Sequence, residues 1–193
     1  MSAALVDRVV RRDELGALAT FDRSEHIDGH YVVVDGSLHL VAEPVDVPGW
    51  RPDQVAGHIR RLDAVLAAGG VVVGTWDAGA LVGLAALDVR PVGGDPATMD
   101  LDFVHVSRPH RGRGVARRLV TLLGARAAAA GARDLYISAT PSRNTVDAYL
   151  RLGARLAVQP DPARLAREPD DIHLLLAVPL APRPVSAGVR RGS

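Results

Sequence analysis

The stretch from Met99 to Ala130 constrains this chain most. Met99 to Val106 reads as a strand, Ser107-Arg108-Pro109 breaks it, and Gly112 and Gly114 come next. A long Ala, Leu and Arg helix is then predicted from about Gly114 to Ala130, capped by Gly131. A helix start leaves several backbone N–H groups without intrahelical acceptors and carries partial positive charge. Glycines at that point let an anion approach the backbone and let the turn take unusual dihedrals. Arg108, Arg111, Arg113, Arg117 and Arg118 add charge around the same spot. The segment therefore predicts an anion site suited to a pyrophosphate. It is not a P-loop, because no Lys comes after the glycines, and a dinucleotide fingerprint would need glycine where Arg117 stands. On two glycines alone, a solvated basic helix start accounts for it equally well.

The flanking segments point to the fold class. Val6 to Val10 reads as a strand, and Asp13 to Phe21 has helical spacing at Leu15, Leu18 and Phe21. Tyr31 to Val34 and Leu38 to Val41 flank Asp35-Gly36, a tight-turn pair, and predict a hairpin. Pro52-Asp53 opens a predicted helix to about Ala68, stopped by Gly69-Gly70. Val71 to Trp76 and Leu81 to Val89 predict a second hairpin, and Pro91 to Pro96 a loop. Alternation along Met99 to Val106 puts Asp100, Asp102, Val104 and Val106 on one face and Leu101, Phe103 and His105 on the other. Leu135 to Ser138 reads as a buried strand and Thr145 to Leu152 as a short helix closed by Gly153. Arg155 to Val158 and Ile172 to Val178 read as last strands around the polar loop Pro160 to Asp171. The order predicts an α+β single domain over residues 1–180, with a central mixed, mostly antiparallel twisted sheet flanked by helices. Residues 181–193, rich in Pro, Ala, Arg and Gly, read as a disordered tail.

Composition narrows the function classes. Hydrophobic residues are 48% and charged residues 23% of the 193, enough to bury a core. A net charge of +1 argues against general nucleic-acid binding by bulk phosphate attraction. With no cysteine, a Cys nucleophile, Cys-based metal sites and disulfides are excluded. No apolar run approaches the ~20 residues a bilayer needs, and the start of the chain has no signal-type apolar region. The expectation is a soluble cytoplasmic protein with neither nucleic acid nor membrane as partner.

Val104-His105-Val106-Ser107-Arg108-Pro109-His110-Arg111-Gly112-Arg113-Gly114-Val115-Ala116 resembles the acetyl-CoA-binding motif of the GNAT (Gcn5-related N-acetyltransferase) superfamily. The shared pattern is a strand ending in Val, a gap of four residues, then [Q/R]-x-x-G-x-[G/A], with Arg111, Gly114 and Ala116 in the three slots. The resemblance continues through Leu135 to Val146 and Tyr149 to Gly153, which are similar to the family's second cofactor motif. It covers roughly residues 71 to 178.

The resemblance implies acetyl-CoA as donor and a splayed strand pair holding it. Backbone groups of Val104, His105 and Val106 would bind the pantetheine and aim an N–H at the thioester oxygen, where an oxyanion develops. Arg111 and the N–H groups of Gly112, Arg113, Gly114, Val115, Ala116 and Arg117 would take the pyrophosphate. The family's Asn, seven residues before its Tyr, is Ser142 here, with Asn144 nearby; both are carried as cofactor contacts. Tyr149 matches the Tyr and is the candidate general acid for the leaving thiolate. Asp102, or Asp100 beside it, is the candidate base for the amine. Glu168, Asp170, Asp171 and His173 would border the acceptor, suiting a cationic amine, with Asp22, Arg23, Glu25, His26 and His30 as an opposite wall. The spacing of His26 and His30 predicts two imidazoles on one helix turn, but with no third ligand no metal is expected. The implied reaction is direct attack of a small-molecule amine in a ternary complex. A protein N-terminus or lysine as acceptor, a non-catalytic acyl-CoA sensor, and a homodimer stay open.

Overall fold

The computed structural model describes residues 4–178, so the tail expected over 181–193 lies outside the described residues. The elements are β1 (Val6–Val9), β2 (Glu25–Val34), β3 (Ser37–Val47), α1 (Pro52–Ala67), β4 (Val71–Asp77), β5 (Ala80–Val92), β6 (Asp95–Val106), α2 (Val115–Ala129), β7 (Asp134–Ala139), α3 (Arg143–Leu152), β8 (Arg155–Leu156), α4 (Pro162–Arg167) and β9 (Ile172–Ala177). Seven strands form one mixed sheet in the order β1-β4-β5-β6-β7-β9-β8, in which only the β6–β7 pair is parallel. β2 and β3 form a separate two-stranded sheet that contacts α3 and β9. Among the described residues no helix is long and apolar enough to cross a membrane.

Each face of the large sheet buries its own core. Val115, Leu119, Val120 and Leu123 of α2 and Val146 and Tyr149 of α3 pack with Leu101, Leu135, Ile137 and Leu174. On the other face Leu62 and Val65 of α1, with Leu15 and Leu18, pack on Val72, Leu84, Ala86 and Phe103. Gly83 of β5 makes the α2 side possible. A Cβ there would lie 2.5 Å from Val115 Cγ1 and 3.2 Å from Leu119 Cδ1, so glycine lets α2 sit down on the strand.

Several expectations change. The segment with helical spacing at Leu15 and Leu18 is a 3-10 helix, Arg12–Thr20. The expected 91–96 loop is mostly strand, because β5 and β6 continue through a tight turn at Gly93-Gly94. The polar loop 160–171 contains α4. The largest change is in β6. Ala86 pairs with Phe103 but Asp88 pairs with Asp100, so Leu101 and Asp102 together oppose Leu87. Such a bulge reverses the alternation beyond it. Leu101, Val104 and Val106 consequently face α2, while Phe103 faces α1. The uninterrupted alternation read from the sequence is thereby corrected.

Candidate active site

The same strand opens a gap in the sheet. β6 and β7 pair only over Thr98–Asp134, Met99–Leu135 and Asp100–Tyr136. Beyond that, β7 continues from Ile137 to Ala139 on β9 alone, while Leu101 to Val106 stay with β5. Residues of an antiparallel ladder alternately direct both backbone groups to one neighbour and both away. Ser107 N–H donates to Val82 O at 2.9 Å, which by register places His105 and Phe103 in the set bonded to β5. Val104 and Val106 therefore turn their N–H and C=O groups into the gap. Arg111 Nε donates to Val106 O at 3.0 Å, leaving both groups of Val104 and the Val106 N–H. The backbone contact expected from His105 is corrected, since its groups are directed to Leu84.

The glycine turn comes directly after the strand. Gly112 and Gly114 have φ of +72° and +78°, which lets successive N–H groups converge on one concavity. Gly114 is the N-cap of α2 and makes no side-chain cap, and the first bond back into the helix is Arg118 N–H to Gly114 O at 3.0 Å. The N–H groups of Gly112, Arg113, Gly114, Val115, Ala116 and Arg117 thus have no acceptor among the described residues. Six consecutive orphan donors at a helix start are an anion cradle. Arg111 is not part of it. Its N–H donates to Arg108 O, and its guanidinium reaches inward to Val106 O, Ser24 O and Arg23 O, 3.7 Å from Glu25. Arg111 instead joins the end of β6 to the start of the β2–β3 hairpin.

The second motif is also engaged internally. Ser142 caps α3, and its hydroxyl donates to Thr145 Oγ1 at 2.9 Å. Asn144 Nδ2 donates to Glu25 Oε1 at 2.9 Å and to His26 O at 3.0 Å. Glu25 also holds Arg23 at 2.8 Å, so its half-buried carboxylate is a junction between hairpin, turn and α3. His26 and His30 stand on β2, a strand and not a helix, and pair with Asp46 and Glu43. Among the described residues no group of three or more His, Cys, Asp or Glu could hold a metal.

Tyr149 is buried in the α2–α3 core, and its hydroxyl makes no hydrogen bond to any described residue. Burial, with Asp100 and Asp171 close by, pushes its phenol above the ordinary range. Asp102 meets Arg61 of α1, whose Nε donates to Oδ2 at 2.8 Å, and Arg61 Nη1 reaches Glu168 at 3.0 Å. Arg164 Nη1 lies 2.7 Å from Asp100 Oδ2 without aligned hydrogen-bond geometry, and burial raises Asp100 to about 7. Asp171 is half-buried, has no ion-pair partner among the described residues, and is pushed up to about 6 by burial and by Glu168. Asp170 beside it is exposed. His173 is buried against Tyr136, whose hydroxyl lies 2.9 Å from Nδ1, and so does not border the cleft as a free imidazole.

The sequence reading missed Arg61, Arg164, Trp50 and His58. Trp50 and His58 stack with His105 and Phe103 beside the gap. His58 and Arg61 are three apart on α1, a spacing that puts both on one face, and that was the available signal.

The model of the acetyltransferase (GNAT) family matches residues 43–154. No curated protein matches the sequence. Among solved structures, nourseothricin acetyltransferase is 21% identical over 92% of this chain and 100% of its own, with a TM-score of 0.70. PaiA N-acetyltransferase from Thermoplasma acidophilum, in complex with coenzyme A, is 10% identical over 90% and 99%, with a TM-score of 0.59. An aminoglycoside 6'-N-acetyltransferase complexed with coenzyme A is 18% identical over 68% and 83%, with a TM-score of 0.50. At these identities the likeness is one of fold.

Proposed function

The chain belongs to the acetyltransferase (GNAT) family, with acetyl-CoA as acyl donor, and from that premise we propose that it acetylates the primary amine of a small cationic molecule by direct attack in a ternary complex. The observation that carries the reading is the gap between β6 and β7 continuing into the orphan N–H groups of 112–117. A pantetheine and a pyrophosphate need such a slot and cradle in that order. The antibiotic acetyltransferases among the structural neighbours support a small-molecule acceptor.

Acetyl-CoA supplies the acyl group already activated as a thioester. The chain's part is to hold and polarise it and to move protons. Val104 and Val106 direct backbone N–H groups into the gap, where they can stabilise a developing oxyanion. Asp171 is the better base than Asp102, because it has no ion pair among the described residues and is raised to about 6, whereas Arg61 occupies Asp102. Tyr149, kept protonated by burial, donates a hydrogen bond to the departing sulfur. A phenol raised above ~10 is a poor proton donor to a thiolate of pKa ~8.5, so this bond stabilises the thiolate without full transfer. The absence of cysteine is consistent with direct attack.

Thiol release from acetyl-CoA across an amine panel tests the proposal. Release should require the amine and match acetylated product one for one. Tight coenzyme A binding with no release on any amine would instead make the chain a sensor, and release only with peptide substrates would make it a protein acetyltransferase.

A further inference from the structure

On the α1 side of the gap stands a cluster of four rings. Trp50 lies 4.7 Å from His58 and 4.7 Å from His105, the latter edge-on at 73°. Phe103 lies 4.7 Å from His105 and 5.3 Å from His58. The bulge in β6 turns Phe103 and His105 to this side, and His105 sits between the two residues whose backbone groups open into the gap. Phe103 is buried, while Trp50, His58 and His105 each keep part of their surface exposed. Burial, reinforced by Arg61 and Arg23, holds His58 below its ordinary range, and burial with Arg23 does the same for His105. Both imidazoles are neutral at physiological pH, so the cluster presents an uncharged aromatic surface beside the acyl position.

The charges facing it limit what can bind there. Of the acids around the cleft, Asp102 and Glu168 are tied to Arg61, Glu168 also to Arg167, and Asp100 lies against Arg164. On the side of the cleft that carries Glu168, Asp170 and Asp171 have no ion pair with a described residue. A polycation would need several free carboxylates. One ammonium with an apolar body needs one or two, and an aromatic surface for the body.

Resting on the acetyl-transfer reading above, we infer that the acceptor is a monoamine bearing an aromatic or similarly flat apolar ring, which packs on Trp50, His58 and His105 while its nitrogen lies toward Asp171. Ring-on-ring contact adds to area burial, so such an amine gains over a linear or polyhydroxylated one.

The test compares 2-phenylethylamine, 1,4-diaminobutane and a polycationic aminoglycoside as acceptors for the full chain. Expected is a kcat/KM for 2-phenylethylamine at least tenfold above the other two. Trp50→Ala should collapse that ratio at least fivefold, mainly through KM for the ring-bearing amine, and Trp50→Phe should restore most of it. Should Trp50→Ala fail to fold, His58→Leu and the wild-type ratio read the same surface. Preference for the diamine or the aminoglycoside overturns the inference, as does a loss in Trp50→Ala that falls equally on every amine. If no amine is acetylated while acetyl-CoA still binds, the acetyl-transfer reading fails. If amines are acetylated without preference for the ring, this inference fails alone.

Discussion

In the proposed reaction Tyr149 would give the leaving sulfur a hydrogen bond and Asp171 would take the proton of the amine, and the two groups are differently placed. Tyr149 sits in the apolar core with a free hydroxyl, so Tyr149→Phe removes one donor and changes little packing. Its kcat should fall on the order of 100-fold with KM for acetyl-CoA nearly unchanged, as steady-state kinetics would read. A raised KM for acetyl-CoA with no change in kcat would exclude the role. Asp171 carries the pH dependence. It works as a base only when ionised, and burial raises it to about 6 in the unliganded chain, so kcat should show an acid limb that falls as pH drops. Because kcat reports the assembled complex, the titration of free amine does not contribute. Asp171→Asn should lower kcat and erase that acid limb; retention of the limb would move the base elsewhere.

At the scale of elements, the site is built from β6, the glycine turn and α2. Much of this was legible, because strand, break, turn and helix are consecutive in the chain, and a helix start needs no distant partner to have orphan donors. The reversal of faces within β6 was not legible. It arises from the register against β5, where Leu101 and Asp102 share one opposite residue, and nothing local marks it. Arg61, Trp50 and His58 come from α1 and the connection before it, so their place beside β6 depends on tertiary packing, and only the shared helix face of His58 and Arg61 pointed to it. Arg111 fitted the motif by spacing, but its side chain is drawn inward by carbonyls of residues far away in sequence. Gly83 belongs to this scale too. Gly83→Ala places a methyl against Val115, a β-branched side chain on the first turn of α2, and overpacking costs about 1–3 kcal/mol. Since that turn carries the N–H cradle, KM for acetyl-CoA should rise together with a loss of thermal stability. Destabilisation with unaltered KM would show that the cradle does not depend on how α2 is seated.

For the whole molecule the question is what fastens the β2–β3 hairpin to the large sheet, since a two-stranded sheet alone is marginally stable in water. Tyr31 N–H donates to Pro141 O at 2.8 Å and its hydroxyl to Asp147 at 2.8 Å, tying the hairpin to the start of α3. Arg111 ties it to β6 through Val106 O and to the chain before β2 through Ser24 O and Arg23 O, while Glu25 links Arg23 with Asn144. Arg111→Ala removes one charged hub from three carbonyls and leaves Val106 O open to the gap. With bonds to charged groups worth ~1.5–3 kcal/mol each and only partly additive, a loss of about 2–4 kcal/mol is expected. For a chain of this size each kcal/mol moves Tm by about 2–4 °C, so calorimetry should show a drop of roughly 5–15 °C. The cradle does not use the Arg111 side chain. Acetyl-CoA should therefore still protect the variant against heat, although Tm starts lower. Loss of that protection at temperatures where the variant remains folded would return Arg111 to the cofactor site and make the hairpin anchor secondary.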